Sequence, residues 1–192
     1  GIELRVAADG EILVRGRPVM RGYHRKPEAT AEALDGEAWF HTGDIGVIED
    51  GFLRITDRKK DLIVTSVGKN IAPQILENAL KAQSPLISQV MVHGDQRPYL
   101  VALVTLNEEA AVPWARAHGI AFERPADLAG NGKVRAAIQA AVDTLNARLA
   151  PYENIRRFHL VERDFSQEAG ELTPTLKVKR KVATEKYSAE LS

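Results

Sequence analysis

At 192 residues, 44% of them hydrophobic, the chain is long enough for one domain or two small ones with a sizeable core. Its 26 basic and 26 acidic residues cancel, so no overall basic field exists to attract nucleic acid or an anionic membrane, and binding falls to local sites. The absence of cysteine excludes disulfides, thiolate nucleophiles and Cys metal sites, and makes a cytoplasmic protein the default expectation.

No apolar run approaches the roughly 20 residues of a membrane span, and the start lacks the basic region and apolar core of a signal peptide. The chain opens at Gly1 directly on Ile2-Glu3-Leu4-Arg5-Val6, which alternates as a strand does. The expectation is a piece of a longer protein cut at an internal strand.

Residues 2–6 and 11–15 alternate around Asp9-Gly10 and predict an antiparallel hairpin. Pro27 followed by good helix formers to Leu34 predicts a short helix across that sheet, ending near Asp35-Gly36. Residues 47–55 form a second hairpin around Asp50-Gly51. Because neighbouring strands usually pair, its open end is placed to bring Asp44 and Arg58 to one ligand. The alternative on spacing alone is that Asp44 caps a turn and Arg58 is a solvated charge. His41, just before the Thr42-Gly43-Asp44 turn, reads as packed there and not as reactive.

After Lys60 the texture changes. Residues 61–65 read as a short strand, 67–72 as a glycine-containing loop and 73–81 as a helix. Residues 87–93 and 99–106 are two β-rich runs joined by a longer loop, and 108–118 reads as helix. Val134, Ile138, Ala141, Val142, Leu145 and Leu149 line one face of a helix of about five turns ending before Pro151. Residues 158–161 return as a strand. This alternation predicts an α+β layer sandwich with its own core. The polar tail, 165–175, reads as an exposed loop, and Lys177 to Lys181 as a basic patch leading into a closing helix. Composition does not single out one lysine of that patch.

The fold class is therefore α+β: a small antiparallel β subdomain, residues 1–59, then a compact carboxyl-terminal domain of mixed sheet and helices, residues 60–192. The junction near 57–61 lacks a Gly/Ser spacer, so the connection is short and hinge-like.

Several ordered segments carry a resemblance. Gly10 to Gly16, Met20-Arg21-Gly22-Tyr23, Trp39 to Asp44, Asp57 to Ile63 and Leu172 to Arg180 resemble the carboxyl-terminal third of the acyl-adenylate-forming, AMP-binding synthetases. That superfamily contains acyl-CoA ligases, nonribosomal-peptide adenylation domains and firefly luciferase. The wording of Asp57 to Ile63, Gly68 to Pro73 and Leu172 to Lys177 is similar to the long-chain fatty-acid–CoA ligase branch. The resemblance implies that ATP and a fatty acid give acyl-AMP, from which the thiol of coenzyme A then displaces AMP.

By the same resemblance, Asp44 corresponds to the position that binds the ribose hydroxyls and Arg58 to a second nucleotide contact. Lys177 corresponds to the adenylation lysine, with Lys179 and Arg180 as the competing candidates. Lys60 corresponds to the hinge, and Gly68, Lys69 and Asn70 to the pantetheine channel. Many relatives carry Arg where Asn70 falls, which puts a phosphate contact there in doubt. An ordinary turn glycine is the equal alternative for Gly68. The phosphate-binding loop, adenine segment and acyl pocket would lie in a missing amino-terminal domain, with Mg²⁺ on the ATP phosphates against it and any peripheral membrane contact made through it. The piece alone is expected to be inactive. Two other readings stand beside this one: an adenylating enzyme that loads a carrier protein, and a noncatalytic module that kept its nucleotide-facing residues.

Overall fold

The computed structural model describes all residues 1–192 and divides them into two compact units, Gly1–Leu62 and Ile63–Ser192. The first is a four-stranded antiparallel sheet in the order β1-β2-β3-β4. Strands β1 (Ile2–Val6) and β2 (Glu11–Gly16) form the first hairpin. Strands β3 (Phe40–Glu49) and β4 (Phe52–Arg58) form the second, longer than the sequence alone indicates because pairing continues past the alternating stretch. A bulge between Ile45 and Gly46 shifts the register, and beyond it Asp44 pairs with Arg58. Helix α1 (Pro27–Ala33) begins on its proline, as the sequence predicts.

The second unit is built on strand β8 (Leu100–Leu106), every residue of which is buried. It pairs antiparallel with β7 (Ile87–His93) and parallel with β9 (Ile155–Val161), a mixed sheet in the order β7-β8-β9. Strand alternation sends Leu100, Ala102, Val104 and Leu106 into one core and Val101 and Leu103 into another. The first core is roofed by α2 (Pro73–Gln83), α3 (Glu108–Ala117) and α4 (Gly132–Asn146), with Leu80, Ala115, Val134 and Ile138 fully buried. Asn131 caps α4 by accepting hydrogen bonds from the Lys133 and Val134 amides. That helix is a turn shorter than expected, and the chain turns before Pro151.

Two expectations need correction. The strand over 61–65 is reduced to β5 (Ile63–Val64), which pairs with β6 (Asn70–Ile71) out of the segment read as loop. Residues 59–61 form a 3-10 turn instead. The tail is not an exposed loop: Phe165, Glu171 and Leu172 are buried, and Phe165 and Leu172 join Met91, Val101, Leu103, Val161, Ala183 and Leu191 in the second core. Asp164 holds it to the sheet, accepting from Ser88 Oγ at 2.5 Å and from the buried Thr105 Oγ1 at 2.6 Å. Short apolar residues scattered among polar ones give no periodicity, so sequence pattern alone reads such a segment as loop. Helix α5 (Arg180–Lys186) then closes the chain over this second core.

Because Leu103 is fully buried on the tail-facing side, Leu103→Ala should lower stability by about 2–5 kcal/mol in urea denaturation. A cost below about 1 kcal/mol would mean that the tail does not pack as described.

Candidate active site

In the first unit the candidate residues sit where β3 enters the sheet. Thr42 Oγ1 donates to the Ile12 carbonyl at 2.7 Å and accepts from the Asp44 amide at 3.1 Å. Gly43 has φ +69°, a conformation that suits glycine. Arg58 Nη1 donates to Asp44 Oδ1 at 2.6 Å across the β3–β4 pair. Asp44 is 23% exposed and Arg58 51%, so both present polar surface to solvent. The pairing thus brings the two together, and Asp44 is not a turn cap. One carboxylate oxygen is engaged by the guanidinium, and Oδ2 remains to accept from a ligand hydroxyl.

Beneath this bulged stretch of β3, where the register against β2 shifts, lies Glu11, 4% exposed, which sequence reasoning passed over. Its Oε1 accepts from the Gly43 amide at 3.0 Å. Its Oε2 meets His41 Nδ1 and Lys59 Nζ, each at 2.9 Å. Lys59 also reaches Asp9 at 2.8 Å. Burial opposes ionisation of Glu11, but the hydrogen bonds from Lys59, His41 and Gly43 outweigh it and hold the carboxyl below the ordinary Glu range. His41 is held in this network, in keeping with a packed and not a reactive role. The same stretch of β3, with Glu11, lines a cleft of about 490 Å³ together with Tyr23, Lys26 and α1.

Lys60 lies in the exposed 3-10 turn of residues 59–61. In the second unit, Gly68 (φ +73°) and Lys69 occupy an exposed turn closed by Thr65, whose carbonyl accepts from the Gly68 amide at 2.9 Å and whose Oγ1 accepts from the Lys69 amide at 3.0 Å. The Lys69 ammonium lies 5.8 Å from the centroid of the Tyr152 ring.

Lys177 is exposed on a tight hairpin turn. The turn is a ladder of three rungs. The Lys179 amide donates to the Glu171 carbonyl at 2.7 Å, Leu172 and Val178 form an antiparallel bridge, and the Thr173 amide donates to the Lys177 carbonyl at 2.8 Å. The Lys177 amide donates back to Thr173 Oγ1 at 3.0 Å. Of the competing candidates, Arg180 is occupied: it donates to the Val92 carbonyl at 2.9 Å and pairs with Glu77. Lys179 is exposed. No group of three or more His, Asp or Glu is disposed to hold a metal ion.

The model of the AMP-binding enzyme C-terminal domain family matches residues 60–192. The chain belongs to that family. Among curated relatives, the long-chain-fatty-acid–CoA ligase FadD15 of Mycobacterium tuberculosis is 48% identical over 193 residues, covering 100% of this chain and 32% of that protein. Among solved structures, the A domain of a carboxylic acid reductase from Segniliparus rugosus, in complex with AMP and a co-purified carboxylic acid, matches with a TM-score of 0.75 at 25% identity. It covers 100% of this chain and 30% of that one. The A-PCP didomain of a carboxylic acid reductase from the same organism, in complex with AMP, matches with a TM-score of 0.71 at 25% identity, covering 100% and 27%. The chain spans about a third of the length of the first curated relatives it matches.

The depressed pKa of Glu11 fixes a pH dependence. A carboxyl that ionises more readily when folded contributes stability above its unfolded pKa and loses it as the pH falls through the folded value. The stability advantage of the unmodified protein over Glu11→Gln should therefore be full at about pH 7 and shrink below the ordinary Glu value of 4.5. An advantage that grew on acidification would contradict the network.

Proposed function

We propose that the chain is the carboxyl-terminal part of an ATP-dependent long-chain fatty-acid–CoA ligase. The support that carries this reading is the 48% identity running through the whole chain to a relative of that name. The full protein would convert a fatty acid and ATP to acyl-AMP and pyrophosphate, then pass the acyl group to coenzyme A. Residues 1–59 would end the amino-terminal domain, and residues 60–192 would move as a unit. ATP would arrive with Mg²⁺ on its phosphates, held against the amino-terminal part that lies outside this chain.

Asp44 would accept hydrogen bonds from the two ribose hydroxyls, for which an ionised carboxylate offers two oxygens and ample lone pairs. Arg58, already paired with Asp44 at 2.6 Å, would orient that carboxylate and donate to nucleotide oxygens as a fixed fork. Lys177 would stand between the carboxylate and the α-phosphate. A compact ammonium there offsets the repulsion of two anions and aligns the attacking oxygen. It acts as a charge, not as an acid or base. Lys60 would be the hinge that exchanges Lys177 for the Gly68–Lys69 turn, which would line the path of the pantetheine arm once the thiol must approach. No helix of this chain is long and apolar enough to cross a membrane; the full protein would be cytoplasmic, with any peripheral membrane contact made through the amino-terminal part outside this chain.

A second reading has one specific support. The likeness to an A-PCP didomain favours an adenylating enzyme that delivers its acyl group to a carrier protein. The full-length protein distinguishes the two when offered acyl-AMP with coenzyme A or with a carrier protein. Acyl-CoA is the expected product, and acylation of the carrier alone would overturn the ligase reading. In the same protein, Lys177→Ala should slow acyl-AMP formation by about a hundredfold or more and leave thioester formation from supplied acyl-AMP near its original rate. Unchanged adenylation would remove Lys177 from the chemistry. Lys60→Pro, which fixes φ near −65°, should slow one half-reaction and spare the other.

A further inference from the structure

Glu171 is fully buried, yet the proposed chemistry gives it nothing to do. Its carboxylate is saturated. Arg163 donates to both oxygens, at 3.0 Å and 3.1 Å. Lys186 Nζ and Tyr187 Oη each donate to Oε1 at 2.8 Å, and the Ser166 amide donates to Oε2 at 3.1 Å. Burial alone would favour the neutral acid, but these donors outweigh it and keep the carboxyl below the ordinary Glu range. On Tyr187 burial and the same contact act together and push the phenol up to about 12.

Stability alone is a poor reason for such a cluster. Buried ion networks can often be replaced by well-packed apolar side chains at no cost, whereas removing one partner is costly. What such a cluster supplies is a single geometry. Here that geometry reaches the candidate site, because the backbone of Glu171 is the bottom rung of the ladder that carries Lys177. The donors come from the segment after β9 and from α5 with the residue following it, so the carboxylate fastens three segments at the base of the turn.

We infer that Glu171 is a positioning residue for Lys177, fixing the foot of the turn so that the ammonium is delivered to one place. The inference rests on the assignment of Lys177 to adenylation. It accounts for a fully buried charge placed six residues from an exposed lysine, with rungs 171–179, 172–178 and 173–177 linking the two. A misplacement of about 1 Å at a reacting group can cost on the order of a hundredfold in rate, so a loosened foot should register in one half-reaction only.

The test uses the full-length protein with Glu171→Gln, Tyr187→Phe, Lys177→Ala and the Glu171→Gln/Lys177→Ala pair. Acyl-AMP formation by pyrophosphate exchange and thioester formation from supplied acyl-AMP are measured separately. Glu171→Gln should slow adenylation by about 10- to 100-fold, change thioester formation by less than about twofold, and add nothing further in the Lys177→Ala background. Tyr187→Phe keeps a ring 6.0 Å from that of Phe165 and removes one donor, so it should fold normally and slow adenylation less. It carries the test if Glu171→Gln does not fold. Equal losses in both half-reactions, a full additional loss on top of Lys177→Ala, or unchanged adenylation in Tyr187→Phe would overturn the inference. If Lys177→Ala itself leaves adenylation intact, the assignment of the lysine fails first, and that single variant reveals it.

Discussion

A carboxylate taken out of water must be met by donors on nearly all its lone pairs, and that constraint shapes both units. Glu11, 4% exposed, collects the Gly43 amide, His41 and Lys59; Glu171, fully buried, collects Arg163, Lys186, Tyr187 and the Ser166 amide. Each lies beneath backbone that carries a candidate residue, the half-buried Asp44 on a bulged stretch of β3 in one unit and the exposed Lys177 on a hairpin turn in the other.

The backbone completes what the carboxylates begin. Asp44 meets Arg58 because the bulge at Ile45 and Gly46 resets the register of β3 against β4, placing the two directly across from each other. Lys177 is held by a ladder of three rungs whose Leu172 enters the second core. Burying β8 on both faces is what makes that second core available. A sheet covered by helices on one side only would leave the tail, and the lysine with it, without a support. Both candidate charges are thus held by backbone pairing and by a buried carboxylate beneath them.

The sequence made some of this legible and not the rest. Both hairpins follow from alternation around Asp9-Gly10 and Asp50-Gly51, and the meeting of Asp44 and Arg58 follows from the pairing of neighbouring strands. Residues 61–65 look like a strand because five residues of mixed apolar character carry that pattern, but only Ile63 and Val64 pair. The tail was opaque because Phe165 and Leu172 lie alone among polar residues. Glu11 and Glu171 were opaque for another reason: a glutamate reads as solvated until its partners are known. The partners of Glu11 are 30, 32 and 48 residues away. Lys177 could be told from its basic neighbours only by resemblance: the structure engages Arg180 with Glu77 and Val92 and leaves Lys179 exposed, as it does Lys177.

The most direct measurement is a crystal structure of the full-length protein with a non-hydrolysable acyl-adenylate bound. The carboxylate of Asp44 should lie about 2.5–3.2 Å from the ribose hydroxyls, on a Thr42–Asp44 stretch of β3 still anchored by Glu11. A ribose held elsewhere, with Asp44 facing water in every orientation captured, would contradict the assignment of Asp44 to the nucleotide.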